Sequence, residues 1–286
     1  MKIGLIADIH GNHIALKAVL DHLHKEHVDS IICLGDAYCP CPFSREIHAL
    51  LEQHQVIMVK GNGEERIVDL HAKMMSGTDI PLHLFPSKHT MELCSLEQIK
   101  RIASLPSTMT LQDDTILLCH GTPENAGGFL FYLDGRPNVP VMERLRHRTV
   151  IAGHNHWQRT CVYGNTTVHY AGSIGYPNGY EQKQMAYFSI AHLDGRSCRM
   201  QFAGASYDNS AFIQSLLQAD FIGRGGPMAL LILDEFITQE DRLLPFFTYC
   251  SDAVSISDSA VLYEHCVNYL KHVGRWDDLL RILQGH

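Results

Sequence analysis

A chain of 286 residues is long enough for one large domain, or for one domain with an appendage. Its 45% hydrophobic content predicts a sizeable core, and no apolar run approaches the roughly 20 residues that a membrane-spanning helix needs. Acidic residues outnumber basic ones 31 to 23, a net charge of −8, which argues against a broad nucleic-acid footprint. Lys2 leads straight into an apolar run without a cleavable leader, so a cytoplasmic location is the expectation, with the nine cysteines reduced and packed. Cys39-Pro40-Cys41 has no partnering Cys-x-x-Cys and reads as loop rather than a thiolate metal site. Most of the 19 histidines fall on helical or surface stretches, so only those at strand ends count as candidate ligands.

In chain order, residues 3–7 read as a short buried strand, with Asp8 and His10 where it ends. In an extended segment these two side chains point the same way, and carboxylate plus imidazole suits Mn²⁺, Fe or Zn²⁺. Asn12 caps a helix with an apolar stripe of Ile14, Ala15, Ala18, Val19 and Leu23. The start of that helix faces the same spot and suits a phosphate, which makes Asn12 and the adjoining His13 candidate phosphate contacts. Residues 30–34 form a second apolar run before Gly35-Asp36, and a helix over 45–53 follows. A third run, 56–59, precedes Lys60-Gly61-Asn62, and this β-α-β-α-β order predicts a parallel unit with right-handed crossovers.

Residues 64–76 and 95–103 read as helices, whereas 77–93 is poorly patterned and is expected to form a loop or lid over the site. Asp113-Asp114 joins 109–111 to 116–119 as a hairpin, ending at His120-Gly121. The Gly-rich loop 123–140, with Phe129, Phe131 and Tyr132, either walls a pocket or packs beneath itself. Residues 149–152 then run into Gly153-His154-Asn155-His156. Alternating strands at 159–163, 167–171, 185–191 and 198–202 predict a second, largely antiparallel sheet packed on the first. A boundary near 204–209 divides the chain into residues 1–205 and a mainly helical appendage, 206–286, interrupted at Gly223–Pro227. No ligand spacing recurs in the appendage, so it reads as a packing or dimerising element.

Five apolar runs thus deliver Asp, Asn or His at their C-terminal ends, where α/β sheets place their sites. Seven side chains converge on this reading: Asp8, His10, Asp36, Asn62, His120, His154 and His156. That is too many for one tetrahedral zinc and about right for two ions sharing a ligand.

Asp8-x-His10, Gly35-Asp36, Gly61-Asn62, His120-Gly121 and Gly153-His154-x-His156 resemble, in order and spacing, the motif set of the calcineurin-like metallophosphoesterases. The resemblance spans roughly the first 200 residues. Gly35-Asp36-Ala37-Tyr38-Cys39-Pro40 lacks the Arg-Gly element of the Ser/Thr protein phosphatases. His120-Gly121-Thr122-Pro123 and Gly172-Ser173-Ile174-Gly175-Tyr176-Pro177 are similar to the small bacterial and archaeal phosphoesterases. The resemblance implies an α/β fold of two packed mixed β-sheets, a sandwich flanked by helices. It also implies two divalent ions (Mn, Fe or Zn), one held by Asp8, His10, Asp36 and His156, the other by Asp36, Asn62, His120 and His154.

On that pattern Asp36 bridges the ions, and Asp36, His120 and Asn62 serve the hydrolysis of phosphomonoesters or phosphodiesters by a metal-bridging hydroxide. Gly63 and Glu64 stand where many members carry His-Asp or His-Glu, so the imidazole thought to protonate the leaving group is missing. A retromer subunit of this fold is thought to act as a scaffold, so a metal-binding interaction module is the alternative; the complete ligand set favours an enzyme. Acidic charge and the absent Gly-Asn-His weigh against a nuclease. The expected partner is a small phosphorylated substrate, with neither membrane nor nucleic acid, and self-association is expected through the appendage.

Overall fold

The computed structural model describes residues 1–176, 183–195 and 197–285. The first crossover unit forms as the apolar runs predict. β1 (Lys2–Ile6), α1 (His13–Lys25), β2 (Ser30–Cys33), α2 (Ser44–Gln53) and β3 (Ile57–Met58) alternate, and the three strands are parallel. α3 (Asn62–Ser76) opens directly on Asn62. Residues 77–93, expected as loop, instead hold a 3₁₀ turn (Leu82–Leu84) and α4 (Phe85–Glu92). Polar and apolar residues are buried alike, namely Pro86, Ser87, His89, Thr90 and Met91, so no periodic apolar stripe marks the helix in the sequence. α5 (Leu96–Ala103) starts from a Ser95–Gln98 capping box.

β4 (Thr108–Leu111) and β5 (Ile116–Cys119) form the expected hairpin, followed by a short α6 (Val139–Met142) and by β6 (Thr149–Ala152). β7 (Gln158–Tyr163) and β8 (Thr166–Ala171) pair antiparallel, as do β9 (Met185–Asp194) and β10 (Ser197–Ser206). The sheets distribute these strands differently from the expected parallel-then-antiparallel split. One sheet runs β10-β9-β1-β2-β3 and the other β4-β5-β6-β8-β7. The β9–β10 hairpin therefore extends the first sheet, with β9 antiparallel to β1, while β5, β6 and β8 form a parallel centre of the second. Both sheets are mixed.

Between them lies a core of alternating inward residues, among them Leu5, Ile32, Leu34, Ile116, Leu118 and Ile151. Ile6, Cys33 and Met58 face the other way, onto Leu16, Leu20 and Ile67 of the flanking helices. Beyond β10 the chain forms α7 (Asn209–Gln218), α8 (Phe221–Gly225), α9 (Met228–Thr238), α10 (Leu243–Tyr249), a 3₁₀ turn (Ala253–Ser255), α11 (Ser259–His272) and α12 (Trp276–Leu283). Every residue of α9 from Met228 to Phe236 is buried, as suits the axis of a helical bundle. Its apolar cluster also takes in Cys41, Phe43 and Tyr176, so the helices pack against the rim loops of the sandwich.

Candidate metal centre

The seven strand-end residues come from both sheets. Asp8 and His10 follow β1, Asp36 follows β2, and Asn62 follows β3; His120 follows β5, and His154 and His156 follow β6. Backbone hydrogen bonds zip the first two loops together: Asp8 N donates to Gly35 O, His10 N to Asp36 O and Gly11 N to Ala37 O. Ile174 N and Gly175 N donate to the carbonyls of Ala7 and Asp8, which fixes the β1 exit from its other side.

The expectation that an extended segment aims Asp8 and His10 alike is corrected here. Asp8, His10, Asp36, His154 and His156 all have positive φ, between 51° and 66°. Five non-glycine residues in the left-handed region within one site is an arrangement that ordinary loops avoid, and such conformations concentrate where function holds them. The turns bring the side chains inward instead of letting strand alternation do so. Gly35, at φ 100°, passes so close to Gly61 and His120 that a Cβ there would lie 2.7 Å from Gly61 Cα.

Two groups of donor atoms form: Asp8, His10 and His156, and Asp8, Asp36 and His120. Asp8 Oδ1 lies 3.5 Å from His156 Nε2, 3.9 Å from His10 Nε2 and 3.9 Å from His120 Nε2. Asp36 Oδ1 lies 3.4 Å from His120 Nε2, and Asn62 Oδ1 lies 3.1 Å from the same nitrogen. Asp8 therefore stands in both groups, whereas the resemblance assigns the shared position to Asp36. His154 adds its ring beside His120, centroids 5.2 Å apart, and donates its backbone N–H to Asp8.

Several features fit a cation. His10 Nδ1 lies 2.6 Å from Cys39 O and His120 Nδ1 2.7 Å from Leu34 O. Donation to those carbonyls leaves each Nε2 lone pair aimed into the site, the usual support for a metal-binding imidazole. His10 Nε2 and His156 Nε2 are only 3.1 Å apart, and the buried Nε2 of His154 has no hydrogen-bond partner. Burial pushes His10 and His156 down, and it pushes His154 down to about 4, helped by His120. Burial also raises Asp8 to about 8, and Asp36 adds to that rise. Burial opposes charge on Asp36 too, but His120 holds that carboxyl well below its usual range. Against its own burial, His120 is held at about 10 by Asp36 and Asp8. One imidazolium thus sits where mutually repelling acidic groups need positive charge, a place suited to a divalent ion.

Asn12 and His13 lie elsewhere. The Asn12 side chain is buried and accepts the N–H of Ala15 as the α1 cap. His13 packs its ring on Phe43, centroids 4.5 Å apart. Neither lines the cavity beside the metal centre.

Sequence reasoning missed the part played by Glu64. Its Oε2 accepts the N–H of Asp36 at 2.7 Å and of Gly61 at 2.9 Å, and its Oε1 accepts that of Ala37 at 2.9 Å. Glu64 thus ties the β2 and β3 exits together from beneath. The capping spacing of Gly61 and Glu64 was the available signal. Gly63 N donates to Asp36 Oδ1 at 2.6 Å, and a Cβ at this position would stand 3.0 Å from that oxygen. The missing side chain leaves room for the Asp36 carboxylate.

Residues 1–193 match the family model of the calcineurin-like phosphoesterase superfamily domain, and the chain belongs to that superfamily. Among solved structures, it is similar to a hypothetical protein from Pyrococcus horikoshii at 22% identity and a TM-score of 0.64, over 78% of this chain and 95% of that one. It is also similar to a metallophosphoesterase from Sphaerobacter thermophilus at 20% identity and a TM-score of 0.61, over 79% of this chain and the whole of that one. No curated protein matches the chain in sequence.

Proposed function

We propose that this protein is a phosphoric ester hydrolase that uses two divalent metal ions. The convergence of two donor groups on one shared carboxylate, Asp8, supports this reading above any other feature. Asp8, His10 and His156 would hold one ion, and Asp8, Asp36, His120, Asn62 and His154 are the groups available to the other. Bound cations in such a site supply Lewis acidity and make a water acidic enough to attack phosphorus at neutral pH. The carbonyls of Cys39 and Leu34 keep the His10 and His120 rings oriented, while Glu64 and Gly63 N hold the Asp36 loop in place. Preorganisation of this kind avoids rearranging charged groups during the reaction.

The test is metal content and hydrolysis measured together on protein loaded with Mn²⁺, Fe²⁺ or Zn²⁺. Two ions per chain are expected, with turnover of phosphomonoesters or phosphodiesters. Asp8→Ala is expected to lower both ions' occupancy, whereas His156→Ala lowers one. Full retention of metal by Asp8→Ala, or no hydrolysis of any ester with any of these metals, would overturn the proposal.

A further inference from the structure

A cavity of about 740 Å³ opens directly from the metal centre. At one end its walls include His10, Asp36, Asn62, His154 and His156; at the other they are built by the C-terminal helices and the 82–87 segment. Met228 and Ile232 of α9, Leu243, Leu244 and Phe247 of α10, and Val254 give that far end an apolar surface. Leu244 and Val254 remain exposed at 55% and 49%, so the wall presents apolar area that packing within the chain leaves unused.

Charge is distributed unevenly along the cavity. Arg66, on the second turn of α3, is the only Lys or Arg among the described lining residues and is exposed. It stands near enough to the metal end for its charge to act on His10 and Cys39. The C-terminal region adds Asp241 and Glu235, the latter raised by burial to about 8. Glu235 is 2% exposed; its Oε1 accepts the N–H groups of Arg242 and Leu243, and Tyr176 and Asp241 lie beside its carboxyl group.

We infer that the C-terminal helices form the subsite for the alcohol portion of the phosphoester, and that the substrate is a phosphate ester of an uncharged, predominantly apolar alcohol. The inference rests on the phosphoesterase reading, because it takes the phosphate to lie at the metal centre with Arg66 beside it. Continuity of one cavity from metal ligands to apolar wall fixes which part of the ester faces the helices. The C-terminal helices bring no Lys or Arg to the described lining, so a second phosphate there would lack a countercharge and nucleoside polyphosphates fit poorly.

The experiment uses n-alkyl phosphonates from methyl to octyl, with binding to the full chain measured by calorimetry. The matching n-alkyl phosphates are assayed in parallel, because their alcohols differ little in basicity and so separate apolar contact from leaving-group effects. Binding is expected to tighten about threefold per added methylene until the cavity is filled. Leu244→Asp, at an exposed position that tolerates charge, is expected to remove that gain, read as the ratio of octyl- to methylphosphonate affinity within the variant. Arg66→Gln is expected to weaken every member of the series by a similar factor. Affinity independent of chain length, or a Leu244→Asp variant indistinguishable from wild type, overturns the inference. If chain-length dependence is present but no ester is hydrolysed with any metal, the phosphoesterase reading fails and the apolar subsite stands.

Discussion

Glu64 is fully buried, yet its carboxyl group accepts three backbone N–H groups from two different loops. Burial and Asp36 raise it to about 7, while the N–H donors pull in the other direction. Glu64→Ala leaves three buried donors without partners, and each such group costs about 1–3 kcal/mol. A loss of at least 3 kcal/mol in urea unfolding is expected, with reduced metal content at equilibrium. Unchanged metal content in folded Glu64→Ala would show that the loops hold their shape without it. At Gly63 the absence of a side chain has a kinetic consequence. On the proposed phosphoesterase reading, Gly63 extends no imidazole toward the departing oxygen, so turnover should depend steeply on leaving-group basicity, since general-acid help is typically worth about 10²- to 10⁴-fold. Aryl phosphates graded by phenol pKa test this under conditions where chemistry limits turnover; a flat series would mean that another acid acts.

Among the elements, α9 decides how the C-terminal helices hold together. Asp234, fully buried on α9, accepts Arg242 Nε at 2.7 Å and Arg275 Nε at 3.0 Å, joining the starts of α10 and α12 to one carboxylate. Asp234→Ala leaves the buried Arg242 without its main partner, and breaking a buried pair typically costs about 3–5 kcal/mol. The expected result is an early unfolding step confined to the helical region, seen in calorimetry as a separate transition. A single transition shifted by less than 1 kcal/mol would show the pair to be dispensable. The same helices line the cavity with Met228, Ile232, Leu243, Leu244 and Phe247. Phe43 and Tyr176 lie in their cluster, with the Tyr176 ring 4.8 Å from that of His10.

For the molecule as a whole, a divalent ion bound by the candidate ligands would couple protons, stability and cation binding. His120 is raised from 6.5 to about 10 and Asp8 from 3.8 to about 8, so the metal-free fold holds protons that the unfolded chain releases at lower pH. The sign follows from linkage: the contribution of these protons to stability is complete below the unfolded pKa values and is lost as pH rises through the folded ones. Metal-free protein is therefore expected to lose the Asp8 contribution to thermal stability between about pH 4 and 8 and the His120 contribution between about pH 6.5 and 10, with His154 acting in the opposite sense below about pH 6.5. Cation uptake must displace these protons, so metal affinity should rise with pH and proton release should accompany binding. Calorimetry in buffers of different ionisation enthalpy measures that release directly. Binding without release at pH 7 would mean that His120 and Asp8 are already deprotonated.

Much of this fold was legible because its signals are local. Residues 3–7, 30–34, 116–119 and 149–152 are apolar runs too short for helices, and each ends on a polar side chain with few reasons to be there. Burial of both sheet faces demands the first feature, and a site at the strand ends explains the second. What the sequence could not determine depends on atoms brought together from distant positions. Which donor atoms of Asp8, His10 and Asp36 meet turns on left-handed backbone at all three, and non-glycine residues adopt that conformation only where surrounding contacts hold it. The helix at 85–92 has no periodic stripe because it is covered on several sides by elements far along the chain. The wall made by Ile232, Leu244 and Phe247 carries no motif at all, since apolar side chains acquire a role in a site only by lying next to one. The sequence alone thus determined the sandwich and the identity of its converging polar residues; tertiary packing decided which donor atoms meet and what kind of cavity stands beside them.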